Sequence, residues 1–75
     1  MTLDELKPKE KAVVISIGGS GPVRRRLIDM GITPGAHVMI KKTAPFGDPL
    51  EVNIRGYSLS MRKSEAAQVT VERNE

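Results

Sequence analysis

Seventy-five residues, 39% hydrophobic and 28% charged, suffice for one small domain, which buries only ~60% of the surface its unfolded chain exposes. The absence of cysteine and a single histidine, His37, exclude disulfide staples, zinc ribbons, thiol catalysis, iron–sulfur ligation and a multi-histidine metal site within one chain. The net charge of +3 is mild, and Phe46 and Tyr57 are the only aromatic residues, which leaves little for stacking on bases.

The chain opens on Met1-Thr2-Leu3-Asp4-Glu5, acidic and without a long apolar stretch, so it does not read as a signal peptide. Thr2 and Glu5 have capping-box spacing, which predicts one helical turn before Pro8. Lys11–Ile17 follows as a strand, with Val13, Ile15 and Ile17 expected on one face and Ala12, Val14 and Ser16 on the other. Its apolar run, Ala12 to Ile15, is far below the ~20 residues of a membrane span. The expected location is therefore cytoplasmic, peripheral at the inner membrane only through a partner and without direct insertion.

Gly18-Gly19-Ser20-Gly21 breaks the strand, and Pro22 marks the start of a helix. Val23, Leu27 and Met30 form its apolar stripe. Gly31 is expected as its left-handed cap, and Thr33-Pro34-Gly35 as a type II turn. The remainder is β structure: Val38 and Ile40 alternate with polar neighbours, as do Leu50, Val52 and Ile54. Arg55-Gly56 turns into Tyr57, Leu59 and Met61. Ser64 is expected to cap a helical turn, and Val69 and Val71 to form a last strand. Five short strands and one helix favour a small closed barrel, mainly β, with the helix between the first two strands. Tyr57, Leu59, Val13, Ile15, Val38 and Ile40 read as core. One domain over residues 1–75 is expected, with no repeat or linker.

Three blocks carry a family resemblance. Leu27-Ile28-Asp29-Met30-Gly31-Ile32-Thr33-Pro34-Gly35 resembles the central signature of the ferrous iron transport protein A family, FeoA. Ala44-Pro45-Phe46-Gly47-Asp48-Pro49-Leu50 resembles its proline-bounded loop, and Arg55-Gly56-Tyr57-Ser58-Leu59-Ser60-Met61-Arg62-Lys63 its strand–turn–strand segment. They lie in family order, and the similarity runs across roughly residues 2 to 72. Lys9, where a glycine turn is common, and Met61, where leucine is usual, depart from the pattern. The resemblance implies an SH3-like barrel that works beside a large membrane ferrous iron transporter with its own GTPase domain, in an accessory or regulatory role. The same barrel type is similar to the C-terminal domain of iron-dependent transcriptional repressors.

The residues themselves point to binding rather than catalysis. The glycine run lacks the Lys-Ser or Lys-Thr of a P-loop and reads as a strand-to-helix connection rather than a phosphate cradle. No nucleophile–base pair stands out, so no enzyme activity and no cofactor are expected. Arg24-Arg25-Arg26 opposes the helix macrodipole, at ~0.3–1 kcal/mol each before screening. Asp29 is expected to pair with Arg26 or Arg25. The arginines form either a solvated helix face or a surface for an acidic partner, and Ile28, off the stripe and beside Arg24, favours the partner. Phe46 either closes one barrel end or projects as an anchor. Asp48 reads as a turn support. His37 is a weak candidate metal ligand, which two chains could share.

The partner-binding candidates are therefore Arg24, Arg25, Ile28 and Phe46, with Gly31, Pro34, Gly35 and Gly56 fixing the backbone that presents them. The expected function is an accessory protein of ferrous iron uptake. The alternative is a nucleic-acid-binding or metal-sensing small barrel, with nucleic acid disfavoured by the modest charge. Edge strands in so small a barrel leave room for weak self-association.

Overall fold

Branched and small side chains with period-two alternation make Lys11–Ile17 the first strand, β1, and the same pattern sets four more. A computed structural model of the chain describes residues 1–19, 21–43 and 45–73. Ser20 of the glycine-rich connection and Ala44 of the proline-bounded loop lie outside them. After a 3-10 turn at Leu3–Glu5, the order is β1, α1 (Gly21–Asp29), β2 (His37–Thr43), β3 (Leu50–Ile54), β4 (Tyr57–Met61), α2 (Lys63–Ala66) and β5 (Val69–Arg73). The strands form one antiparallel sheet in the order β4-β3-β2-β1-β5, the expected mainly β, SH3-like arrangement with α1 between the first two strands. Among the described residues no helix is long and apolar enough to cross a membrane.

Every element contributes to one core. Leu3, Leu27, Ile32, Ile40, Val52, Ile54 and Val69 are fully buried, each stabilising the fold by about 1.5–3 kcal/mol relative to exposure. The expected Thr2–Glu5 box is present, with the Thr2 amide donating to Glu5 Oε1 at 2.7 Å. That bond holds the Glu5 carboxyl below its ordinary range. Beyond it, Thr2 bridges to Thr70 and covers the β5 edge.

Strand β1 turns the other way from its expected orientation. Ala12 and Val14 are buried, Val13 is half-buried and Ile15 is 47% exposed. A bulge then shifts the phase: Val14 pairs with Val71 but Ser16 with Thr70, so Ile15 is the extra residue. A bulge resets the two-residue period, and Ile17 beyond it packs against the core. Val38 and Ile40 are buried as expected.

Helix α1 ends in a Schellman motif. The Ile32 amide donates to Leu27 O at 3.0 Å and the Gly31 amide to Ile28 O at 2.9 Å, with Gly31 at φ +96°. Leu27 and Ile32, the pair this cap brings together, are both fully buried. Only the last turn of the helix is anchored in this way, so Val23 at its start is exposed rather than part of a buried stripe. Next come Pro34 and Gly35, the latter at φ +90°. The Ala36 amide closes their turn on Thr33 O at 2.9 Å, the type II geometry expected there. Tyr57 is also outside the core, half exposed. Its hydroxyl instead donates to Met30 O at 2.8 Å, the carbonyl at the end of α1.

Candidate functional site

The β2–β3 loop and helix α1 both meet α2, the one-turn helix between β4 and β5. The β2–β3 loop reaches it through Asp48, whose Oδ1 accepts the Lys63 amide at 2.9 Å. This satisfies one of the free amides that start any helix, so Asp48 supports a neighbouring helix. Ser64 is the second residue of α2 and not its cap, because the chain turns helical at Lys63. Two residues beyond Lys63, Glu65 Oε1 accepts the Arg62 amide at 2.8 Å, and Glu65 Oε2 meets Arg26 Nη1 of α1 at 3.0 Å.

Glu65 therefore takes the place expected of Asp29 as partner of the arginine cluster. The reason is geometric: Glu65 is only 7% exposed, and α2 holds it beside α1, whereas Asp29 forms no ion pair among the described residues. A carboxylate so enclosed needs a cation and hydrogen bonds, and Arg26 and Arg62 supply them. Sequence reasoning missed Glu65. The Arg62-x-x-Glu65 spacing, the same i to i+3 pattern as Thr2–Glu5, was the available signal.

With Arg26 committed, Arg24 and Arg25 remain exposed and without an ion pair among the described residues. They line a shallow depression of about 260 Å³ with Gly21 and Ile28. Ile28 is half-buried rather than exposed, so it forms the floor of that depression instead of a projecting contact. Phe46 stands 97% exposed at the tip of the β2–β3 loop and does not close the barrel end. The two groups of candidates are thus joined through α2, with the Phe46 loop held by the Lys63 amide and α1 held by Glu65.

The backbone candidates adopt the conformations their sequence requires. Gly56, at φ +87°, follows Arg55 at φ +51°, the left-handed pair of a two-residue hairpin turn between β3 and β4. In the glycine-rich connection, the Gly18 amide is already bonded to Gln68 O at 2.6 Å. A Cβ at Gly18 would meet that same oxygen at 3.3 Å, so the glycine serves a close backbone approach. His37 is exposed at the start of β2, beside Lys11 and Arg55, and cations so placed oppose a metal ion. Among the described residues no three His, Asp or Glu side chains group as metal ligands do.

The family model of the FeoA domain matches residues 1–73. A 72-residue stretch, 96% of the chain, is 35% identical to an Fe(2+) transport protein A/Fe(2+) transporter FeoB fusion protein of Porphyromonas gingivalis, and the chain spans 8% of that relative's length. The fold is similar to an FeoA-like protein from Clostridium acetobutylicum at 46% identity and a TM-score of 0.91, covering 97% of this chain and 85% of that one. It is also similar to Stenotrophomonas maltophilia FeoA, described as an SH3 domain protein and solved with zinc. There the identity is 34% and the TM-score 0.85, with 96% of this chain and 89% of that one covered.

Proposed function

Because the chain belongs to the FeoA family, which is tied to ferrous iron transport, we propose that it is a non-catalytic accessory and regulatory partner in ferrous iron uptake. It binds the cytoplasmic part of a membrane iron transporter that carries a GTPase domain, through Arg24, Arg25 and Ile28 of α1 and Phe46 of the β2–β3 loop. The observation that carries this reading is the pairing pattern: Arg26 is committed to Glu65, while its two neighbours and a 97%-exposed phenylalanine stay free at the surface. An exposed aromatic anchor, together with exposed arginines that form no ion pair among the described residues, has the composition of binding hot spots. The relative that joins a matching stretch to FeoB in one polypeptide supports the identity of the partner.

The mechanism is differential binding. A domain that prefers one conformation of the transporter shifts its population by no more than the difference in affinity between the two states. NMR titration of the labelled chain with the transporter's isolated GTPase domain tests the reading. Shifts centred on α1 and the β2–β3 loop support it, and binding that leaves both unmoved removes this surface. Absence of any shift argues against docking on the GTPase domain.

A further inference from the structure

The outer face of the sheet carries charge that the helix–loop surface does not use. Lys11, Met39, Asn53 and Ser58 are register partners across β1, β2, β3 and β4, and directly opposed residues share a face of the sheet. His37 lies two residues before Met39 on β2 and so shares that face. Arg55 extends it in the turn after β3. Lys11, His37, Met39, Asn53 and Arg55 line a concavity of about 520 Å³, a size typical of ligand sites. No carboxylate is among the described residues that line it.

Two nearby acids are engaged elsewhere, and Glu72, on β5 opposite Val13, is not among the residues lining the concavity. Glu10 pairs with Arg73 at 3.0 Å, and Glu51 lies 3.7 Å from Lys42 and 3.9 Å from Lys41. Lys11, His37 and Arg55 form no ion pair among the described residues, and Arg55 has only the neutral Thr33 hydroxyl at 3.2 Å. Among the described residues, then, no carboxylate pairs with Lys11 or Arg55.

We propose that this face binds an acidic, extended peptide segment of a partner protein. Adjacent strands lie ~4.8 Å apart, so Lys11 and Arg55 arise from backbone columns about 10 Å apart, with that of His37 between them. One phosphate would gather the long Lys11 and Arg55 side chains at a single point and leave the rest of the concavity unfilled. Acidic side chains at alternate positions of an extended chain recur every ~7 Å, a spacing the flexible Lys11 and Arg55 side chains reach from their two columns, and the half-buried Met39 offers an apolar contact for an intervening side chain. Single-stranded nucleic acid calls for aromatic stacking, and no aromatic residue is among those lining the concavity. The face shares no residue with the α1 and Phe46 surface, so the proposal stands or falls separately from the docking described above.

The test is NMR titration of the labelled chain with a terminally blocked Glu-Val-Glu-Val-Glu-Val peptide. Its Gln-Val-Gln-Val-Gln-Val counterpart, inorganic phosphate and a uridine oligonucleotide serve as parallel probes. The acidic peptide is expected to shift the amides of Lys11, His37, Asn53 and Gly56 saturably, with weaker binding at higher salt. The Lys11→Gln/Arg55→Gln pair of exposed substitutions should weaken it by about 2- to 30-fold, with the remaining amide pattern confirming the fold. The glutamine peptide should leave these amides in place. Absence of shifts with the acidic peptide, or equal shifts with the glutamine peptide, overturns the proposal. Phosphate or RNA moving the same amides as strongly at equal charge overturns the choice of a peptide.

Discussion

Gly31→Ala is the most informative single substitution, because it tests the cap of α1 and the contact that orients the helix on the sheet. Gly31 sits at φ +96°, a conformation that costs a side-chain-bearing residue about 1–3 kcal/mol. The added Cβ would stand 3.0 Å from the Tyr57 hydroxyl, which must give way and weaken its 2.8 Å hydrogen bond to Met30 O, a loss of up to about 1.5 kcal/mol. Together these come to about 2–4 kcal/mol. A 75-residue domain has about 4–11 kcal/mol in all. At about 4–8 °C per kcal/mol for a domain of this size, Tm should fall by roughly 10–30 °C. Thermal and urea unfolding followed by circular dichroism measures it. Tyr57→Phe alone should cost about 1 kcal/mol. In that background Gly31→Ala should cost about 1 kcal/mol less than in the wild type, because the hydroxyl is already gone. Strict additivity would refute the contact, and a Gly31→Ala cost below about 0.5 kcal/mol would refute the backbone argument as well.

Three further outcomes follow from particular contacts. Lys9 holds φ +72° while its amide donates to Ile40 O. Lys9→Gly should stabilise the fold by about 0.5–1 kcal/mol in urea unfolding, relief of left-handed strain exceeding the added freedom of the unfolded chain. Asp48→Ala should cost about 0.5–2 kcal/mol and speed hydrogen exchange of the Lys63 amide, whereas unchanged exchange would show that Asp48 does not cap α2. The Glu5 carboxyl is held below its ordinary range by the Thr2 amide. Its contribution is therefore present above the unfolded-state pKa and lost as pH falls through the lower folded value. The Thr2 amide resonance should titrate with a midpoint below the usual 4.5 of glutamate, and Glu5→Gln should abolish that transition.

Much of the fold was legible in the sequence because it rests on local rules. All five strands, the helix, the Thr2–Glu5 box and the left-handed positions at Gly31, Gly35 and Gly56 follow from short-range sterics and alternation. The phase shift along β1 was not legible, since the bulge at Ile15 is set by pairing with β5, more than fifty residues away along the chain. Of the candidate surface, the sequence placed Arg24 and Arg25 on the helix and Phe46 in a loop. It gave no account of Glu65, and it left Ile28 off the apolar stripe, where the fold half-buries it.

The opening composition still bounds the chemistry: without cysteine and with one histidine, the chain by itself determined a small β domain poor in catalytic and metal-binding means. Which of its charges are free was decided only in three dimensions. Arginines 24, 25 and 26 are equivalent in composition, but Glu65, buried on α2, engages Arg26 in an ion pair while Arg26 itself stays exposed. A buried carboxylate claims whatever cation the fold brings within reach, and sequence separation has no part in that choice. The same holds for the outer face, where strand register gathers Lys11, His37 and Arg55 around one concavity. The mild net charge thus resolves into two local surfaces, each set by which acids the fold had already paired.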